Sequence, residues 1–339
     1  MGTFYTPEIL EKIQGEILSI LDDFLAICRE HHLEYYGIAG TGIGAIRHGG
    51  FIPWDDDIDL AMPRKDYEKL CRIVKKDYSD RYYMLNAKTS EEYPLMTARL
   101  CKRGTVFEEE VMKGVHCPFG IFLDLYPLDN VPDGKFARRK QAWTAWFFSK
   151  LMILRRIPRP TLAQSGLKAQ LIYAVCGAVY RLMLAANMSP EYLRKRCEAE
   201  CRRYEGKTTR KMAFLADTNP YWNTIDKENL YPLKKIPFEG RELDFPANID
   251  EMLRFQYGDY MVMPPEDKRK THTPYRLVFS DGTVGAGPGI DNAELGEAPE
   301  TGRASCTAQP EAGREFHRSG NGGTGNGGTG GNGSGGGSV

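Results

Sequence analysis

The sequence predicts an α/β fold of the α+β kind, in which a mixed β-sheet is flanked by helices. Apolar residues recur every three or four positions from Pro7 to His32, which is typical of an amphipathic helix. Apolar and polar residues then alternate from Asp57 to Met62, which is typical of a strand with one apolar face. Because helical and strand-like segments follow one another along the chain, neither an all-helical nor an all-strand class fits.

Glycine is distributed unevenly along the 339 residues. Nineteen of the 36 glycines fall within residues 281–339, and this composition predicts a disordered, Gly-rich tail. About 280 residues remain, enough for one large domain or two small ones with a well-buried core. A fibrous or wholly disordered chain is therefore excluded.

The other elements follow from periodicity in chain order. A short strand is expected at Glu34–Ala39, and the glycine-dense turn Gly40–Gly44 is expected to open a brief helix that ends near His48. The strand that carries the acids ends at Pro63, and helical spacing returns from Lys65 to Lys76. Further strands are predicted at 82–86, 96–102 and 120–126.

Residues 131–213 are predicted to form a large basic and aromatic helical insertion. Between Gly134 and Pro190 there are ten Lys and Arg and no Asp or Glu. Two interpretations remain open, namely packing of the aromatic side chains inside the protein and peripheral contact of 134–190 with an anionic membrane surface. The apolar run Leu171–Tyr180 is expected to be too short to span a bilayer.

Charge and cysteine usage restrict the cellular context. Outside residues 281–339 the net charge is only +4, from 42 basic and 38 acidic residues, so nucleic acid is not an expected partner. The eight cysteines are scattered without metal-binding spacing, which is typical of reduced thiols. We therefore expect a cytoplasmic protein, with the inner face of the membrane as its peripheral contact.

Four acids fall within five residues at Asp55, Asp56, Asp57 and Asp59. Such carboxylates repel one another and need a cation nearby. On a strand, Asp57 and Asp59 point to the same face, and Asp124, an acid inside an otherwise apolar strand, is the candidate third ligand. Mg²⁺, or Mn²⁺ in its place, is the expected cofactor because it prefers carboxylates, water and substrate phosphates as ligands.

The glycine-dense segment before the acids suits an anion. Backbone N–H groups at Gly40 and Thr41 would face phosphate at the start of the following helix. The Thr41 hydroxyl, Arg47 and His48 are further candidates for contacts with phosphate oxygens. An anion site and an acid cluster on consecutive elements point to phosphoryl or nucleotidyl transfer.

Two other interpretations of these residues are weaker. Gly40–Ala45 fits the dinucleotide-binding fingerprint, but the next strand carries a row of acids and no parallel βαβ series follows. A calcium loop beginning at Asp55 fails, because Leu60 stands where glycine is required and Asp66 where glutamate is required. The metal-binding pair also keeps an alternative register, since Asp55 and Asp57 have the same spacing as Asp57 and Asp59.

The stretch Gly40–Met62, GTGIGAIRHGGFIPWDDDIDLAM, closely resembles the signature of the LicD family, which includes fukutin-related proteins and belongs to the nucleotidyltransferase-fold superfamily. The resemblance extends to Gly120–Asp129 and to Tyr257–Met261, with Pro264, Pro265 and His272 beyond it. It implies a nucleotidyltransferase-like catalytic core in residues 1–130 and a C-terminal part of the same domain in 214–280, with the helical segment 131–213 between them and the tail 281–339 after them.

The resemblance also implies an activity. A LicD-like transferase moves a phospho-substituent such as phosphocholine from a CDP-activated donor, for example CDP-choline, to a hydroxyl of a cell-surface glycan or its lipid-linked precursor, as in teichoic acid or lipopolysaccharide biosynthesis. Gly40 and Thr41 match the family's turn, Asp57 and Asp59 its metal-binding pair, and Asp124 its third acid. The alternative is a non-catalytic protein of the same fold that binds a nucleotide or a membrane phosphate.

The sequence departs from the family's pattern in two features, and the role of Asp124 is open. Gly42 stands where large aliphatic residues are common in the family, and the zinc-binding insert of the fukutin-related members has no evident counterpart. Asp124 is expected either to complete the metal shell or to accept the proton of the acceptor hydroxyl.

Overall fold

The computed structural model describes residues 5–162, 165–221, 223–272, 274–287 and 290. These residues form a mixed β-sheet flanked by helices, so the predicted fold class is confirmed. The glycine-rich tail predicted for 281–339 lies almost entirely outside the described residues.

The helices and strands have the following bounds. The α-helices are α1 (Pro7–His31), α2 (Ala39–His48), α3 (Arg64–Asp77), α4 (Lys135–Arg156), α5 (Gly166–Ala185), α6 (Pro190–Cys201), α7 (Lys227–Leu230) and α8 (Ile249–Tyr257). The strands are β1 (Tyr36–Gly37), β2 (Asp59–Pro63), β3 (Tyr82–Leu85), β4 (Ala98–Lys102), β5 (Val106–Glu109), β6 (Phe122–Val131), β7 (Lys211–Phe214), β8 (Asn223–Asp226), β9 (Lys234–Phe238), β10 (Arg241–Phe245) and β11 (Pro274–Val278).

The main sheet has seven strands, and β6 is its longest. The strand order is β1-β2-β6-β4-β3, while β7 pairs with the end of β6 and β8 pairs with β7. Strands β2 and β6 are parallel, whereas the other neighbours in this sheet are antiparallel. The parallel pair matters for function because it brings two acid-bearing segments side by side.

Helix α1 is the main packing element, as its periodicity predicted. Its N-terminus is capped by the Thr6 hydroxyl, which accepts a hydrogen bond from the Ile9 amide, and its apolar face is buried. That face forms one core with α3, β2 and the first half of β6. A second core lies under α4 and α6, where their buried residues meet the end of β6 and strand β7. The acid-bearing strands therefore rest on a well-packed scaffold.

Several sequence-based expectations differ from the structure. The segment Gly40–Gly44 is helical, not a turn, because α2 already begins at Ala39. The strand expected at Glu34–Ala39 is only the two residues of β1. Sequence periodicity also did not predict the antiparallel pairs β9–β10 and β5–β11. These are short elements, and a short element leaves little periodic signal. In addition, the pairs β1–β2 and β5–β11 join segments that are far apart in sequence.

The insertion is helical as predicted and consists of α4, α5 and α6, but α5 is longer than its apolar run. Over Gly166–Ala185 it has 20 residues, and by length and composition alone it is apolar enough to cross a membrane. The expectation that this segment is too short to do so was therefore wrong, because Leu171–Tyr180 is only the centre of a longer apolar helix.

Candidate active site

The structure brings Asp57, Asp59 and Asp124 together. Asp59 on β2 and Asp124 on β6 are direct partners in the register of the parallel pair, so their side chains share a face of the sheet. Asp57 lies two residues before Asp59, and one carboxylate oxygen from each acid lies within 4.8 Å of the others. The predicted convergence of these acids is thus present, while their role as ligands stays a prediction.

The three carboxylates destabilise one another's charged forms. Burial raises the pKa of Asp59 well above its usual value, and the charges of Asp57 and Asp124 raise it further. Burial also raises the pKa of Asp57 to about 6, helped by the charges of Asp56 and Asp124 against an opposing effect of His272. A group of this kind is suited to a cation, whose charge would offset the repulsion.

Asp124 differs from the other two acids because a cation already faces it. Arg99 lies opposite Asp124 in the β4–β6 register, and its Nε lies 3.2 Å from Asp124 Oδ1. The same guanidinium lies 2.5 Å from Glu109, and all three side chains are buried. Burial raises the pKa of Asp124 although Arg99 opposes that shift. Arg99 therefore engages one oxygen of Asp124 and leaves the other for a further role.

Asp55, the alternative member of the metal-binding pair, lies on the other side of Asp57. Among the described residues, the acids grouped with Asp124 are Asp57 and Asp59 and do not include Asp55. Burial, followed by the charges of Asp57, Asp56 and Asp59, raises the pKa of Asp55 well above its usual value. A hydrogen bond between the two side chains adds to the rise in the pKa of Asp55 and opposes the rise in the pKa of Asp57. This geometry favours the register Asp57 and Asp59.

Asp56 anchors His272, and with Asp57 and His272 it forms a second group whose candidate ligand atoms lie within 4.8 Å of one another. It is buried, and its carboxylate accepts hydrogen bonds from the Tyr5 hydroxyl and from the His272 amide at 3.1 Å. The His272 Nδ1 lies 3.1 Å from Asp56 and 4.0 Å from Asp57. Burial opposes protonation of His272, but the charges of Asp56 and Asp57 raise its pKa well above the usual value. Through its amide and its imidazole, His272 thus holds the acid segment in place.

Gly40 and Thr41 support the acids from helix α2. No side chain caps the N-terminus of this helix, and its first residue, Ala39, has a left-handed φ of 47°. A Cβ at Gly40 would lie 3.0 Å from Asp55 Oδ2, so glycine permits the close approach of helix and carboxylate. Thr41 is buried, and its hydroxyl accepts a hydrogen bond of 2.7 Å from the Asp59 backbone amide. Thr41 therefore positions the acid strand, and the phosphate contact expected for it stays a prediction.

Arg47 and His48 lie at the opposite end of α2. Arg47 lines the cleft beside the acids, and its guanidinium donates to the carbonyl of Tyr260. His48 is exposed, and its Nε2 accepts a hydrogen bond from Arg47 Nε at 2.9 Å. The structure thus places Arg47 at the cleft and His48 on the solvent side of Arg47, where the expected phosphate contact of His48 finds no support.

A cleft of about 580 Å³ opens beside the acid segment. Its lining includes Asp55, Asp57 and Asp59, and segment 257–272 contributes Lys268 and Lys270 together with aromatic side chains. Its volume lies within the range of small-molecule sites, about 300 to 1,000 Å³. A cleft lined by both carboxylates and ammonium groups suits a phosphorylated ligand held together with a cation.

Similarity to known proteins indicates the family of this chain. Residues 32–108 match the family model described as "LicD/FKTN/FKRP, nucleotidyltransferase domain". A relative from Haemophilus influenzae, named lipopolysaccharide cholinephosphotransferase LicD, is 28% identical over 272 residues, which cover 78% of this chain and 95% of the relative. Together these two matches support membership of the LicD family. A further relative, an uncharacterized protein of Rickettsia typhi, is 29% identical over 36% of this chain and 37% of its own length.

The match to the LicD family model covers only part of the site. It includes α2 and the acids up to Asp59, and it also includes Arg99, but it ends before Asp124 and His272. The similarity to the Haemophilus influenzae LicD protein extends over most of both chains. The meeting of Asp124 with the other two acids is therefore an observation of the structure and does not depend on the family match.

Sequence reasoning missed several residues of this LicD-family site. Arg99 could have been found, since a buried acid inside an apolar strand calls for a buried base on a neighbouring strand. His272 lay in a segment that resembled the family but received no role. No feature of the sequence indicated that Lys268 and Lys270 belong to the site, because no pattern near them shows that segment 257–272 lies beside the acids.

Proposed function

We propose that this LicD-family protein transfers phosphocholine, or a similar phospho-substituent, from a CDP-activated donor to a hydroxyl of a cell-surface glycan or its lipid-linked precursor. The observation that carries the proposal is the meeting of Asp57, Asp59 and Asp124, of which Asp57 and Asp59 line a cleft that Lys268 and Lys270 also line. The name of the Haemophilus influenzae relative, a lipopolysaccharide cholinephosphotransferase, supports the transferred group and the glycan acceptor.

The donor atoms of the site fit a hard divalent cation. Three carboxylates with oxygens within 4.8 Å of one another are the ligands that Mg²⁺ or Mn²⁺ prefers, and Asp57, Asp59 and Asp124 would hold the ion. When bound, such an ion neutralises charge on phosphate oxygens and on the leaving group. The raised pKa values of Asp57 and Asp59 are consistent with carboxylates arranged for this purpose.

The protein's own residues bind and orient the donor. Lys268 and Lys270 line the same cleft as the acids and would attract its diphosphate. Arg47, anchored on the Tyr260 carbonyl, fixes α2 against segment 257–272. The acceptor oxygen then forms a bond to the phosphorus that bears the transferred group, the bond to the CMP oxygen breaks, and CMP leaves. Asp124 serves as the third ligand or accepts the acceptor's proton.

The proposal is tested by CMP release from CDP-choline and related CDP-alcohols in the presence of a glycan extract. In Asp57→Ala and Asp59→Ala, loss of a ligand should cost several kcal/mol of transition-state stabilisation, a rate decrease of roughly a thousandfold or more. Asp77→Asn, a surface acid paired only with Lys76 among the described residues, is the matched control and should keep wild-type activity. Activity near wild type in both alanine variants contradicts the proposal.

The role of Asp124 is separated from that of the pair by a metal titration. Because Asp124 keeps one oxygen away from Arg99, we expect Asp124→Asn to raise the Mg²⁺ concentration needed for half-maximal CMP release and to lower kcat. A lower kcat with an unchanged Mg²⁺ requirement would instead assign Asp124 as the general base.

A further inference from the structure

Helix α5 exposes an apolar face to solvent. Of its 20 residues only Ala169 and Met183 are buried. Leu167, Leu171 and Leu182 are 83%, 68% and 68% exposed. Scattered exposed leucines are ordinary on a protein surface, but several on one helix need an explanation.

The exposed leucines form a continuous stripe. At about 100° per residue, Leu167, Leu171, Ala178 and Leu182 fall within roughly 60° of one another around the helix axis. All four are exposed, and Ala174 and Val175, also exposed, extend the same stripe. The face of α5 that points to solvent is therefore apolar, the reverse of an ordinary surface helix.

The charged residues of α5 indicate which kind of partner the stripe binds. Lys168 and Arg181 are the charged residues of α5, and both are exposed. Residues 134–190 contain no Asp or Glu, so no acidic side chain of this segment offsets the two charges. A second copy of this chain packed on the stripe would bring like charges together, which disfavours it. An anionic lipid surface offers both hydrocarbon and negative charge.

The connection between α4 and α5 favours a helix that lies in the plane of the membrane surface over one that crosses the bilayer. Within the described part of this connection, residues 157–162, Arg159 packs its guanidinium over the ring of Tyr173 at the middle of α5, so this part lies beside the helix. At the end of α5, the Met188 carbonyl accepts a hydrogen bond from Arg155 at the end of α4. If α5 spanned a bilayer, this irregular, charged connection would lie within the hydrocarbon, where its backbone polar groups would lack partners.

We propose that the exposed stripe of α5 binds the surface of an anionic lipid bilayer, with the helix lying in the plane of the interface. This inference goes beyond the proposed transferase activity and involves neither donor nor metal. It would place the protein peripherally on a membrane, where lipid-linked acceptors are found.

The test is flotation of the full chain with phosphatidylcholine vesicles, with and without phosphatidylglycerol. The wild type should float with the anionic vesicles and much less with the neutral ones, and added salt should weaken the binding. Leu171→Glu should reduce binding by roughly tenfold or more, and Leu182→Gln and the charge variant Lys168→Gln should reduce it less. Phe255→Glu, at a residue of α8 that is 74% exposed, is the matched control and should bind as wild type.

Three results would overturn the proposal. The first is no binding to anionic vesicles, and the second is equal binding to both vesicle types. The third is a self-associating protein, by sedimentation velocity, that Leu171→Glu converts to monomer without any vesicle binding, which would assign the stripe to a second copy. Circular dichroism of each variant checks that folding is unchanged. CMP release with a soluble acceptor is measured separately, so loss of one property is distinguishable from loss of the other.

Discussion

At the scale of single residues, the charged form of Asp57 destabilises the folded protein. Burial and its acidic neighbours raise its pKa from 3.8 to about 6, with His272 opposing the shift. At neutral pH this difference corresponds to about 3 kcal/mol against the charged form. A residue that destabilises the protein in this way is typical of a binding or catalytic site.

Asp57→Asn should therefore stabilise the protein in the absence of divalent cations while removing activity. An uncharged amide of the same shape avoids the repulsion, and we expect the free energy of unfolding at roughly pH 8 in chelator to rise by about 1 to 3 kcal/mol. Urea denaturation measures it, with Asp77→Asn as the control that should change little. A decrease in stability would show that the Asp57 charge is already compensated within the protein.

The same carboxylate predicts how stability depends on pH. Because the pKa of Asp57 is raised from 3.8 to about 6 on folding, its contribution to stability is fully present below 3.8 and is lost as the pH rises through 6. In chelator, Tm should fall over this interval. Excess Mg²⁺ should raise Tm at roughly pH 8 and have little effect at roughly pH 5, where protonated carboxylates bind it poorly. A Tm that is indifferent to Mg²⁺ at both pH values would contradict the metal assignment.

At the scale of elements, strand β4 supplies the countercharge of the site. Arg99 lies opposite Asp124 in the sheet and also pairs with Glu109 on β5. Removing it leaves two buried acids without their directly paired cation, so Arg99→Met should lower the free energy of unfolding by about 3 to 5 kcal/mol. Adding Glu109→Gln to that variant should restore part of the loss. Equal stability of the single and double variants would show that Glu109 is not charged in the fold.

Alanine substitutions at Gly44 in α2 and at Gly15 in α1 should have opposite effects on stability. A Cβ at Gly44 would lie 2.3 Å from the backbone oxygen of Gly50, whereas one at Gly15 in α1 would meet nothing within 4 Å. Gly44→Ala should therefore lower the free energy of unfolding by about 2 kcal/mol or more, since backbone must move. Gly15→Ala should raise it by about 0.5 to 1 kcal/mol through helix propensity. Thermal unfolding of both variants provides the measurement, and a tolerated alanine at Gly44 would contradict the close packing of α2 on the turn at Gly50.

At the scale of the whole molecule, the sequence predicts what is periodic and misses what depends on distant pairing. The spacing of Asp57 and Asp59 on a strand, and one acid within the apolar strand at Asp124, were enough to predict their meeting. The start of α2 at Ala39 was missed because three glycines within five residues normally indicate a turn. The contact of Asp56 with His272 joins residues 216 positions apart, and periodicity carries no information about it.

The whole account depends on one divalent cation held by three acids from two strands. Anomalous diffraction from crystals of the full chain grown with Mn²⁺ tests this most directly. We predict one manganese peak within coordination distance of Asp57, Asp59 and Asp124. A peak among Asp56, Asp57 and His272 instead, or no peak at a saturating Mn²⁺ concentration, would contradict it.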